Sequence, residues 1–155
     1  MSKNYGELTE VKVTAVAVAG TPQGPIPVAV LEDDRERVLL LVMDGAQASA
    51  VQRTLNGESA MLTHNFMLDV LNSLNVRVKN AIIYGITESR FLSKVTLETK
   101  EGLKEVQGNA GDVVTLAFIA RAPIMVSNEV MDRVSISKRE LYNPMEESTE
   151  IEGGG

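Results

Sequence analysis

The chain has 155 residues, 44% apolar and 23% charged, the length and balance of one globular domain rather than a disordered segment. It contains no cysteine, which excludes disulfides, zinc-thiolate sites, iron–sulfur clusters and a thiol nucleophile. The net charge of −6 speaks against a general attraction to nucleic acid, but four of the acids lie between Glu146 and Gly155, where there is no base; the remainder holds 15 bases against 17 acids and leaves room for a local basic patch.

The opening MSKNYGELTE lacks an apolar core, and no window nears the roughly 18 apolar residues of a membrane span, so a cytoplasmic protein is expected. Residues 11–19 alternate through β-branched side chains and read as a strand. The prolines of residues 21–25 cannot donate to a ladder, which makes that stretch a turn into a second strand over 26–31. Asp33, Asp34 and Glu36 then read as a solvated hairpin tip, not as a metal site. A third strand over 38–43 is broken by Asp44 and Gly45 before a helix over 46–55 that Gly57 stops.

Met67, Val70, Leu71 and Leu74 fall at helical spacing behind Thr63, a residue suited to the N-cap of an amphipathic helix. Residues 76–86, 91–99 and 103–106 read as an antiparallel meander. From Asp112 to about Arg121 the chain is apolar nearly all round, as a buried helix requires, and Pro123 ends it. A short strand at 124–126, a helix capped by Ser127, and a capping box from Ser137 to Glu140 complete the order. Strands in two groups around paired helices, without βαβ alternation, indicate an α+β fold with a mostly antiparallel or mixed sheet. The expected organisation is an extension over 1–10, a domain over 11–134, and a short helix with an acidic tail without fixed structure over 135–155.

Little chemistry follows from motifs alone. The scattered methionines read as core filler, the glycines have no phosphate-loop spacing, and the basic pairs at Arg77/Lys79 and Lys138/Arg139 lack aromatic company. The single histidine, His64, is either a cap or packing residue or a general acid–base and phosphate contact. Asp112 at a helix start is either a cap opposing the helix dipole or a catalytic or metal-binding carboxylate.

Taken in order, VKVTAV from Val11, VLLLVMDGAQASAV from Val38, LTHNFMLDVL from Leu62 and GDVVTLAFIARAPI from Gly111 resemble the bifunctional nuclease domain family, described as acting on DNA and RNA. The resemblance runs from about Val11 to Asp132. It implies an α+β fold, a homo-oligomer, Mg²⁺ or Mn²⁺ as cofactor, and phosphodiester hydrolysis with polar residues gathered at helix starts. On that implication His64 and Asp112 are the catalytic candidates, Thr63, Asn65, Gln47 and Asn109 contact substrate, and Asp112 and Asp44 hold metal.

The chain departs from the family pattern at several of these places. Met43-Asp44 stands where an Ile-Gly step is usual, Gln47 where a Glu precedes Ala, Asn65 where an Asp follows Thr-His, and Asn109-Ala110-Gly111 where Arg-Pro-Ser precedes the Asp. An amide cannot act as a base and binds a divalent cation more weakly than a carboxylate, and the missing Arg removes a bidentate phosphate clamp. The alternative is therefore a catalytically degenerate oligomeric binding or scaffold module that keeps the fold.

Overall fold

In the computed structural model, which describes residues 6–88 and 90–142, the Val-rich opening segment is a long strand β1 (Leu8–Thr21). It pairs antiparallel with β2 (Gly24–Glu32), and β2 with β3 (Arg37–Val42). The turn expected over residues 21–25 is thus shorter, and Pro25 and Pro27 lie inside β2. They are tolerated because β3 pairs with β2 only from Val28 onward, so their missing N–H groups fall on a stretch with a single neighbour.

The β2–β3 connection is built around Asp33. Its Oδ1 accepts from the backbone N–H groups of Arg35 and Arg37 at 2.9 and 2.8 Å, and its Oδ2 from Arg37 Nε at 2.7 Å, while Glu36 takes a left-handed φ of 61°. The acid read as a solvated tip is an organiser of the turn.

Helix α1 (Gly45–Leu55) follows β3 and ends with Gly57 in the left-handed region at φ 73°, as its position in the sequence implied. Helix α2 (Thr63–Ser73) is capped differently from expectation. Leu62 occupies the N-cap with no side-chain hydrogen bond, and Thr63 is the first helical residue, because the first turn closes through Phe66 N–H to Leu62 O.

The meander is β4 (Arg77–Thr87), β5 (Arg90–Thr99) and β6 (Gly102–Gly108), all antiparallel. Helix α3 (Ala110–Ile119) leads to β7 (Ile124–Ser127), which lies parallel to β4 and antiparallel to β1 and so joins the two strand groups. Ser127 Oγ accepts from Val130 N–H to cap α4 (Asn128–Val134). A two-residue strand β8 (Ile136–Ser137), not anticipated from the sequence, pairs with β3. The capping box then forms: Ser137 Oγ accepts from Glu140 N–H and Glu140 Oε2 from Ser137 N–H at the start of α5 (Lys138–Tyr142). Residues 1–5 of the expected extension and the acidic tail beyond Tyr142 lie outside the described residues.

The α+β reading holds. The sheet has eight strands in the order β6-β5-β4-β7-β1-β2-β3-β8. Helix α3 packs against α1, α2, β3, β4, β5 and β7, and Val113, Val114, Leu116 and Ala117 are buried at the centre of the core with Val11, Leu31, Leu39, Ile83 and Val126. Three strands separate β3 from β4 in the sheet order, yet the end of β3 and the β4–β5 hairpin line one cleft at the start of α3. The sheet therefore curls around this apolar helix and brings the helix starts together at one end.

Helix α2 is the exception to inward packing. Leu68 and Leu71 touch the core, but Phe66, Met67, Val70 and Leu74 face outward, Phe66 and Leu74 being 68% and 64% exposed. Among the described residues, no helix is long and apolar enough to cross a membrane.

Candidate functional site

The starts of α1, α2 and α3 meet in one hydrogen-bonded cluster. At α1, Asp44 is the N-cap and its Oδ1 accepts from Gln47 N–H at 2.7 Å. The Gln47 side chain answers, its Oε1 accepting from Asp44 N–H at 2.9 Å in a capping box with an amide in the third position. That bond fixes the orientation of the amide. Its Nε2 therefore points at α3, donating to Asp112 Oδ1 at 2.8 Å and lying 3.4 Å from Asn109 Oδ1.

At α3 the capping role open to Asp112 falls to Asn109 instead. Asn109 is the N-cap, its Oδ1 accepting from the N–H groups of Gly111 and Asp112. Asp112 lies one turn in and does not cap; its carboxylate faces sideways into the cluster. An Asn at the cap satisfies the orphan donors of the first turn and frees the acid for other work.

Helix α2 contributes His64, which is 4% exposed and sets Nε2 2.9 Å from Asp112 Oδ1. One carboxylate oxygen thus meets both an amide and an imidazole. His64 Nδ1 is buried without a hydrogen-bond partner, as is Asn65 Oδ1 on the next residue. Thr63 and Asn65 make no hydrogen bond to the cluster among the described residues. Burial raises the affinity of Asp112 for a proton, but the bonds from Gln47 and His64 and the attraction of the imidazole outweigh it, holding the carboxyl below the usual Asp range.

Gly111 explains how the amide fits. A Cβ at this position would stand 2.2 Å from Gln47 Oε1 and 2.6 Å from its Cδ, so the Gln47 side chain, itself 5% exposed, fills the space a larger residue would need. Glycine suits this position because of the close approach of the Gln47 amide rather than because of backbone conformation, and a larger residue would displace that amide. Composition and spacing gave no hint of this pairing of positions 47 and 111.

The Asp112 side chain is 51% exposed, and its Oδ2 has no protein hydrogen bond among the described residues. Asp44 is committed to its cap. No group of three or more His, Asp or Glu side chains stands together as a metal cage among the described residues.

Beside the cluster opens a cleft of about 560 Å³, lined by Leu41 and Val42 of β3, Tyr84, Arg90, Phe91 and Leu92 of the β4–β5 hairpin, and the run from Gln107 to Gly111. Asn109 and Gly111 belong to both cleft and cluster. Asn109 Nδ2 finds no protein acceptor among the described residues, so the Asn faces the cleft with a free donor. Sequence patterning missed this wall, since Arg90 falls between the strands expected over 76–86 and 91–99.

No curated protein matches the chain. The family model described as bifunctional nuclease domain matches residues 29–139, from β2 through the start of α5, and so takes in every residue of the cluster. With most of its length inside that match and its helix starts converging as described, the chain belongs to the bifunctional nuclease domain family.

Proposed function

We propose that the chain acts on phosphodiesters of DNA or RNA at Asp112. The observation that carries this is a half-exposed carboxylate below the usual Asp range, with one oxygen held by Gln47 and His64 and the other facing outward. Such a group is a fixed acceptor. Asp112 Oδ2 would hold Mg²⁺ or Mn²⁺, which supplies charge neutralisation on the phosphate and an activated water. His64 is too buried to meet substrate and acts as a positioning residue, orienting Asp112 through Nε2. Asn109, with its free Nδ2, is the amide that faces a bound phosphodiester, while Gln47, buried with both ends of its amide engaged, helps to position Asp112.

A second reading, a degenerate binding or scaffold module, is favoured by Gln47 itself. Its amide places a donor against Asp112 and its bulk fills the floor of the cluster. Either reading includes a homo-oligomer, supported by the outward apolar stripe of α2.

Incubation of the purified protein with single-stranded RNA and DNA, with Mg²⁺ or Mn²⁺, beside an Asp112→Asn variant, separates the two. Metal-dependent cleavage that disappears in Asp112→Asn establishes hydrolysis. Cleavage that survives the substitution removes Asp112 from the reaction, and a wild-type protein that cuts neither polymer leaves the binding reading standing.

A further inference from the structure

The cleft beside the cluster has a chemistry of its own. Its volume lies within the roughly 300–1,000 Å³ of small-ligand sites. Arg90 is the single charged residue among those lining it; it is exposed and forms no ion pair among the described residues. In a chain of net charge −6, a recess with a free cation and no carboxylate in its lining is a local exception. Another recess, beside β1 and the β2–β3 turn, sets Glu10, Glu32, Asp33 and Asp34 against Lys12 and Arg35 and so carries a net negative lining.

The wall is aromatic as well as cationic. Tyr84 is the extra residue of a bulge, since Ile83 pairs with Ser93 and Gly85 already with Leu92. A bulge re-aims a side chain out of the regular pleat, and here Gln107 Nε2 donates to the Tyr84 hydroxyl at 2.8 Å and holds it in place. Phe91 and Leu92 continue the wall beside Arg90.

We propose that this cleft binds a nucleotide unit of single-stranded nucleic acid, with Arg90 contacting its phosphate and Tyr84, Phe91 and Leu92 packing against its base or sugar. The choice of a nucleic acid over another phosphorylated ligand rests on the reading of Asp112 given above. A planar base needs an apolar or aromatic face and is free to find one only when unstacked, which selects single strands. Because Asn109 and Gly111 border both cleft and cluster, a strand anchored at Arg90 lies with its next phosphodiester toward Asp112.

The test is fluorescence anisotropy of a short labelled single-stranded oligonucleotide, titrated with wild type, Arg90→Gln and a control, Arg77→Gln, at the far end of β4, beside the cleavage assay above run on the same variants. Arg90 is at the surface, so its loss leaves the fold intact. Removing one charged phosphate contact weakens binding about ten- to a hundredfold and lowers the slope of log K against log salt by about 0.7. Arg77→Gln keeps most of the affinity. Equal binding by Arg90→Gln and Arg77→Gln, or no binding by the wild type at millimolar protein, overturns the proposal. Arg90-dependent binding without cleavage removes hydrolysis while the cleft stands; cleavage indifferent to Arg90→Gln removes the cleft while Asp112 stands.

Discussion

Gln47 shows what a single substitution of type does inside a closed set of hydrogen bonds. Its Oε1 serves the backbone of Asp44 and its Nε2 serves Asp112, so both ends of the amide are used. A Glu at this position could keep the first bond but would turn its second oxygen on the Asp112 carboxylate. Two carboxylates at that range cannot both ionise comfortably, and the new acid is driven above its ordinary pKa of about 4.3. A folded-state pKa above the unfolded one gives a carboxyl that favours folding only while protonated, so the penalty appears as pH rises through about 4 and persists at neutrality. Gln47→Glu is expected to lower stability by about 2 kcal/mol at pH 7, to recover most of it near pH 4, and to gain more Tm from Mn²⁺ than the wild type does. Thermal melts across pH, with and without Mn²⁺, check this; a variant as stable as wild type at pH 7 would show that the amide is not clamped. The two ends of the cluster, His64 and Asp112, were legible because their residue types stand out at helix starts. The coupling of Gln47 to Gly111 was not, since they stand 64 positions apart in the sequence and only the packing of α1 on α3 brings them within van der Waals reach.

At the scale of elements, periodicity located helices and strands well, and local chemistry assigned caps less well. Thr63 and Asp112 both belong to residue types that cap helices, yet the caps are Leu62 and Asn109, one residue earlier and three residues earlier. Cap position depends on where the chain enters a helix, which the neighbouring elements decide; the Ser137–Glu140 box, where two side chains must agree, was readable without them. The acidic β2–β3 connection was misjudged for the same reason. Asp33 bonds back to Arg37, one residue ahead of the strand expected over 38–43, and its side chain is fully inaccessible beside that guanidinium. Burial raises its pKa, but the Arg37 N–H, the guanidinium and the Arg35 N–H outweigh that and leave the carboxyl below the usual range. A depressed folded pKa stabilises the fold above the unfolded value of about 3.9, and the contribution disappears as pH falls through the folded value. Asp33→Ala is therefore expected to cost about 1–3 kcal/mol in urea unfolding at pH 7 and progressively less below about pH 4. A constant difference across that range would mean that the carboxylate charge plays no part.

At the scale of the whole molecule, the periodicity that defined α2 said which residues share a face but not where the face points. Leu68 and Leu71 take the inward side, leaving Phe66, Met67, Val70 and Leu74 exposed. An exposed apolar patch of this kind is a candidate contact surface. Asp69 is the only charged side chain between Thr63 and Ser73, so the surface offers nothing for a strongly charged partner to pair with. A second copy presents the same apolar stripe and is complementary to it by symmetry, with residues on one protomer meeting their equivalents about a two-fold axis. If α2 forms that interface, Phe66→Ser with Val70→Lys converts the assembly to monomer in sedimentation velocity at micromolar concentration. The fold itself should survive, because neither side chain contributes to the core and exposed polar residues are tolerated on a helix. His64 sits on the same helix but on its buried side. Loss of assembly would therefore leave the bond to Asp112 in place, and the monomeric variant would retain its binding of single-stranded oligonucleotide. A wild type that sediments as a monomer at every concentration, or a variant that assembles as the wild type does, rules out α2 as the interface.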